Sequence, residues 1–498
     1  MHRSLLALTL LALAGCDASL GSDGPDLPLL GDEAIAVAGR IYMLAPATDS
    51  VVEIDPAART FQSLPAGVAP RVLSRKPHAD VVYALGMAEN TLSRIAPQGF
   101  STTDSGAPFN RLDWSPDGTR GFLWIDPLGL QPAVEGSLNL GAFAVISDDD
   151  NGVTITPGSL TFQPLDVVFS ADSSRALVTT SSRLHVLDLT VAPFSERTVP
   201  LTTDTSVRRT PDLVVPTPDG QRALVTASGG SDLFVLSLDP VLVENVIALP
   251  RPALDIQLSR DGGTAMIADG TTTVTFLDLD SFEDGALVLP HGVTDVLPSR
   301  QPEQDFALLF DDRGASPFLT RVALNGDDVV PDDPDTFLME GEVRSVWLEP
   351  GEQAAIIFHD GGGSSVDFVP SQSLSLFSFA ERAPSRVLLD APAVDVAFLA
   401  AGAVPGSDDP HAVVVLADSA RLVRYNLADY SQVVLNTYTS PLSIGRAPPE
   451  EGGQEQLFVV HRSELGLISF IDPAATFEPP GGFPAVAGMA DAGLLEVR

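Results

Sequence analysis

Carboxylates and imidazoles recur at regular places in this chain. Aspartate stands at the head of an apolar stretch five times, as Asp166, Asp212, Asp255, Asp295 and Asp395. A second set, Asp269, Asp311, His359, Asp418 and His461, closes the apolar stretch that follows in several repeats. Oxygen-rich groups gathered at one place suit a hard cation such as Ca2+, or a basic ligand group. The other reading of the same residues is local, each aspartate capping or bonding a loop of its own repeat. The run Asp148-Asp149-Asp150-Asn151-Gly152 has the density of a calcium loop but lacks the downstream bidentate glutamate of an EF-hand, and reads as a solvated turn. Asp327-Asp328 and the acidic stretch 332–335 read as exposed loop charge. Gly-x-Ser-x-Gly, Cys-x-x-Cys, His-Glu-x-x-His and phosphate-binding glycine loops are all missing, so no catalytic residue is named by motif.

The elements that must carry these groups follow a repeated phrase: an apolar strand, a turn built on Asp-Gly or an equivalent, then a second apolar strand. The clearest copies occupy 112–124, 167–178, 213–225 and 256–267, with weaker ones beginning near Val72, Val296, Val346, Val396 and Ile444. Asp-Gly between two such strands predicts a hairpin, because glycine reaches positive φ without a Cβ clash and aspartate hydrogen-bonds the turn backbone. A third strand follows, as in 51–55, 185–189, 234–238, 275–279, 422–426 and 468–472, and a more polar fourth strand usually precedes the next copy. Four strands per repeat of roughly 40 to 55 residues is a propeller blade. The first and second strands are antiparallel. The start of one and the end of the other therefore lie on one face of the ring, and the hairpins on the opposite face.

These repeats resemble the YVTN-type and WD-repeat-like propellers of bacterial envelope proteins. Ser115-Pro116-Asp117-Gly118 and Thr217-Pro218-Asp219-Gly220 fit that pattern, while Gln301-Pro302-Glu303-Gln304 and Pro350-Gly351-Glu352-Gln353 depart from it. The resemblance covers most of residues 36–475 and implies an all-β fold, a β-propeller of four-stranded blades with about 7–10 repeat units, over residues 34–498. It specifies no activity, since propellers host unrelated functions on one scaffold. The first unit, from Arg40, lacks an evident innermost strand. The apolar tail 483–498 is expected to supply it and so close the ring.

At the other end, His2 and Arg3 precede an apolar run over residues 5–14 that is too short to span a membrane. It ends in Leu13-Ala14-Gly15-Cys16, which resembles the lipobox of bacterial lipoproteins. That resemblance implies cleavage before Cys16 and acylation of its sulfur and amino group. The implied product is anchored in a lipid bilayer of the cell envelope, on the periplasmic side or at the cell surface. Cys16 is the only cysteine in the chain, so no internal disulfide can form. Residues 1–15 thus read as a lipoprotein signal peptide and 16–33, rich in turn formers and acids, as a flexible tether.

The 498 residues are 44% hydrophobic and carry a formal net charge of -38. That charge disfavours nucleic acid and anionic headgroups and favours basic surfaces. Lys76 is the sole lysine among 28 basic residues. The function expected is a non-catalytic binding or scaffold module for a protein or other macromolecule. The alternative is a periplasmic propeller enzyme, lactonase- or quinoprotein-like, with a metal at the acidic channel mouth.

Overall fold

A computed structural model describes residues 34–497 except 46–47, 57, 59, 128–137, 150–151, 192, 203–208, 302–303, 314–315, 325–328, 362–370, 405, 418, 438, 448–455, 462–467, 472–484 and 488–495. Cys16, Asp418, Asp327-Asp328, the signal peptide and the tether lie outside the described residues.

Alternating apolar sequence and tight turns produce antiparallel strands throughout. The described strands form seven four-stranded sheets, one seven-stranded sheet and one five-stranded sheet. The seven-stranded sheet is two blades fused through one long strand, Pro384–Leu399. Its first half is the outermost strand of one blade, paired with Ser371–Ser378, and its second half is the innermost strand of the next, paired with His411–Leu416. Ten blades result, over residues 34–65, 70–104, 111–159, 164–199, 211–248, 255–288, 295–338, 345–388, 393–436 and 441–497.

Burial explains the different composition of the strands. The second and third strands of a blade are covered on both faces by neighbouring blades, so they read as unbroken apolar runs; Phe306–Phe310 and Ala354–Phe358 are buried at every position. The fourth strand has solvent on one side and alternates, as in Val241–Ala248. Each seam between consecutive blades holds its own apolar cluster. Phe276 and Met266 of blade 6, for example, pack with Val296 and Leu309 of blade 7. The last seam joins blade 10 to blade 1, where Phe458, Val460, Ile468 and Phe470 pack on Ile41, Met43, Val52 and Ile54. The ten blades therefore form one closed ring.

Closure differs from the sequence expectation. Blade 1 has its own innermost strand, Ala34–Val37, paired with Arg40–Ala45. The tail strands Ala485–Ala487 and Glu496–Val497 add instead to the outside of blade 10, beyond Ile468–Ile471. Side-chain packing across the last seam closes the ring, and among the described residues no strand is exchanged between the ends. The sequence offered no sign of this because Ala34–Val37 is only four residues long.

The hairpins form a second belt. In blades 3 to 6 a hydroxyl anchors the turn aspartate: Ser115 to Asp117 at 2.7 Å, Ser170 to Asp172 at 2.6 Å, Thr217 to Asp219 at 2.5 Å and Ser259 to Asp261 at 2.6 Å. The same hydroxyl accepts the amide that leaves the turn, from Arg120, Arg175, Arg222 and Thr264. The turns also pack on one another around the ring. Gly118 has φ 70, and a Cβ there would meet the carbonyl oxygen of Pro77 in blade 2 at 2.5 Å. Glycine is thus required twice over, by conformation and by close approach. Where the pattern fails, another lock replaces it. Glu352 accepts the hydroxyl of Ser299 and the amide of Arg300 at 2.8 Å, tying blade 8 to blade 7.

Candidate functional site

The face opposite the hairpins, called here the mouth, gathers the sequence-selected groups. Asp166, Asp212, Asp255, Asp295 and Asp395 sit near the starts of first strands or, for Asp395, at the inward-turning half of the long strand. Asp269, Asp311 and His359 follow the ends of second strands directly, and His461 is the last residue of one. Asp418 lies outside the described residues.

Their roles divide sharply. Asp255 and Asp395 are clamps between blades: Asp255 accepts the amide of Val296 at 2.9 Å, and Asp395 accepts the amide of Ile444 at 2.8 Å. Each reaches the first strand of the following blade, where the sequence had suggested bonding inside its own. Asp269 closes a local turn by accepting the amide and hydroxyl of Thr271 at 2.9 and 2.6 Å. Asp311 is buried and accepts the Thr294 hydroxyl at 3.1 Å and the Arg313 amide at 3.1 Å. Asp166 and Asp212 are exposed on the mouth.

The histidines are braces. His359 contacts the carbonyl oxygen of Glu342 through Nδ1 at 2.8 Å and the Ser375 hydroxyl through Nε2 at 2.7 Å. His461 repeats this with Thr439 and Ser469, and His291 with Gly292 and Thr320. A carbonyl only accepts, so Nδ1 carries the proton and Nε2 accepts from the hydroxyl. Both nitrogens of His359 and His461 are thereby occupied within the blade. Burial pushes the pKa of all three rings down, in keeping with neutral imidazoles.

Electrostatic tension concentrates where clamp meets mouth. Burial, together with the charges of Asp255 and Asp312 and a hydrogen bond to Asp255, pushes Asp295 up to about 7. Burial likewise pushes Asp395 up to about 6, against the amides of Ile444 and Val396. A carboxyl whose folded pKa exceeds its unfolded value near 3.9 binds its proton more tightly when folded, so its contribution to stability falls as pH rises from about 4 through 7. Asp295→Asn is therefore expected to match the wild type only below about pH 4 and to exceed it in unfolding free energy at pH 8, by on the order of 1–3 kcal/mol more than at pH 4. Urea denaturation at the two pH values reads this directly. An identical difference at both would contradict it.

Sequence reasoning missed a cavity of about 520 Å³ on the same face, lined by Arg111, Asp113, Trp124, Asp126, Pro164 and Asp166 among others. Asp113 accepts the Trp124 indole N–H at 2.6 Å, and Arg111 pairs with Asp126 at 3.0 Å. Burial and the neighbouring charge of Asp166 raise the pKa of Asp113, against the indole and Arg111. Three carboxylates thus share the cavity with one guanidinium, between walls of tryptophan and proline. Asp113 escaped notice because it stands four residues before its turn aspartate Asp117, where Asp166 and Asp255 stand six before Asp172 and Asp261.

The supposed calcium loop is a hairpin. Strands Ala142–Asp149 and Gly152–Ser159 pair through it. Asp148 is buried beneath it, receiving Lys76 Nζ at 3.0 Å and Arg94 Nε at 3.1 Å. Two cations already neutralise this carboxylate, so Asp148 belongs to a buried ion cluster joining blades 2 and 3, while Asp149 beside it is exposed as the solvated turn predicts.

No family model and no curated protein matches this chain. Solved structures do. The chain is similar to a dihydro-heme d1 dehydrogenase, NirN, in complex with DHE, at 13% identity and a TM-score of 0.46 over 76% of each chain. It is also similar to a functionally unknown protein from Desulfotomaculum acetoxidans, at 12% identity and a TM-score of 0.37, over 64% of this chain and 98% of that one. At these values the likeness concerns architecture only. The class of protein defined by the sheets is a β-propeller of four-stranded blades. Among the described residues no helix is long and apolar enough to cross a membrane.

Proposed function

We propose that this protein is a lipid-anchored propeller of the bacterial cell envelope, held in the bilayer through acylated Cys16, whose acidic mouth binds a basic surface of a protein partner. The observation that carries the binding reading is the cavity at Asp113, Asp126 and Asp166, which opens on the mouth with more carboxylates than cations. Its neighbour on the rim, Asp212, is exposed. An incoming arginine or lysine would relieve the repulsion between Asp113 and Asp166 while its aliphatic stem packs on Trp124 and Pro164. The net charge of -38 adds long-range attraction and sets nucleic acid aside as a partner. Ca2+ bridging the same carboxylates belongs to this reading only as a competitor for the site.

The test is recovery from envelope extracts with the full chain as bait, compared with Asp166→Asn/Asp212→Asn. Both positions are exposed, so the variant leaves the core untouched. The expected result is a partner held by the wild type, recovered at least tenfold less by the variant and released by 0.5 M salt. No protein above background, or equal recovery by both baits, would defeat the proposal.

A further inference from the structure

Among the described residues the most exposed large aliphatic side chains are Leu388 at 75%, Val288 at 72% and Leu338 at 62%. They are one structural position repeated in three consecutive blades. Val288 ends its outer strand opposite Thr273, Leu338 ends its outer strand opposite Phe318, and Leu388 lies opposite Ser373. Thr273 and Phe318 begin third strands, and Ser373 is the third residue of its own. That end of the third strand follows the end of the second, so all three aliphatics lie at the outer rim of the mouth. They form an arc over blades 6 to 8.

The chain that leads to Cys16 leaves from the same face. Ala34 begins the innermost strand of blade 1 and pairs with Met43, near the end of the second strand, which places it at the mouth and beside the central axis. The reach from there is limited. About 17 residues separate Cys16 from Ala34, which span roughly 60 Å if fully extended and about 23 Å on average if flexible. Sheets packed about 10 Å apart around a ring of ten give a mean radius near 16 Å, and strand spacing extends this to an outer radius of about 25–30 Å. Strands of five or six residues make the ring about 20–25 Å thick with its turns. Turning the hairpin face to the membrane would require the tether to run from the axis to the rim and along the full thickness, roughly 50 Å, close to its full extension.

We infer that the arc of Val288, Leu338 and Leu388 rests on the bilayer surface and that the mouth is turned to the membrane, an inference that rests on acylation of Cys16 as proposed above. Charged groups near the arc are mixed in sign: Arg386 donates to the carbonyl of Glu340 at 2.9 Å, and Arg344 faces Glu342 at 3.8 Å. Two acids on this side of the ring, Glu342 and Asp390, are paired with Arg344 and Arg421, and a zwitterionic surface has no net charge to repel the others. The basic element that the mouth binds must then be presented at the membrane, which makes the partner a membrane protein.

The test uses full-length acylated protein on phosphatidylcholine vesicles containing nitroxide-labelled lipid. One thiol-reactive fluorophore is placed at Val288→Cys and, separately, at Gln221→Cys, an exposed turn residue on the hairpin face. The expected result is co-flotation of both proteins with vesicles and at least twofold stronger quenching at 288 than at 221. Co-flotation with equal quenching, or stronger quenching at 221, would overturn the orientation while leaving the anchor standing. Failure to float would overturn the anchor and this inference with it.

Discussion

Asp148→Ala is expected to lower the unfolding free energy by about 2–4 kcal/mol. The Asp148 side chain is only 1% exposed, and its partners Lys76 and Arg94 are 15% and 24% exposed. Removing the carboxylate strands two cations that it pairs with in the blade 2–blade 3 seam, and breaking a buried pair from one side costs about 3–5 kcal/mol. Partial exposure of both cations, and the second bond of Lys76 to the Asp148 carbonyl at 2.9 Å, trim that figure. The pKa of Asp148 points the same way: burial alone would raise it, yet hydrogen bonds from its neighbours and the Lys76 charge hold it below the usual carboxylate range. Asp148→Asn keeps the shape and loses the charge, so its cost falls below that of alanine. Urea denaturation of the three proteins at pH 7 gives the comparison, and a change under 0.5 kcal/mol in Asp148→Ala would refute the ion cluster as a seam element.

Particular residues show why some of this was legible and some was not. The hairpins were legible because their chemistry is local: Asp117 and Gly118 specify their turn within a few residues, and four such turns mark their blades. The weaker copies were found from inner strands beginning at Val72, Val296, Val346, Val396 and Ile444, each of which stands within the first strand of a blade. Closure was illegible because it resides in the packing of Phe458 on Ile41 and Met43, over 400 residues apart in the chain. Long-range contact of that kind leaves no periodic trace. The recurring aspartates stand near the starts of first strands, the end of the blade that the antiparallel order of the first two strands pairs with the end of the second. The split between clamps such as Asp255 and exposed groups such as Asp166 depends on which amide the next blade presents, and sequence spacing carries no record of it. His359 and His461 were selected as imidazoles at the mouth, yet their partners Ser375 and Ser469 on the third strand turn them into braces. The Lys76–Asp148 pair spans 72 positions and was invisible for the same reason as the ring seam.

The second large effect concerns the anchor. Leu13-Ala14-Gly15-Cys16 is the only segment of the sequence whose residues imply covalent attachment to a bilayer, and Cys16 is the chain's only thiol. A single acyl chain holds a protein only marginally, whereas two or more hold it stably, at about 0.8 kcal/mol per buried methylene. On the proposed acylation of Cys16, Cys16→Ala removes every acyl group at once. It is expected to move at least nine-tenths of the protein from the membrane to the soluble extracytoplasmic fraction, because the surface charge of -38 offers anionic lipid no substitute attraction. The ring itself folds without the anchor, since its cores are internal to the ten blades.

Radioactive palmitate labelling of the wild type and Cys16→Ala, followed by fractionation of the same cells, is the most direct measurement of a lipid-anchored propeller. Label on the wild type, none on the variant, and release of the variant from membranes is the predicted result. Equal labelling of both, or a variant that stays with the membrane, would contradict it.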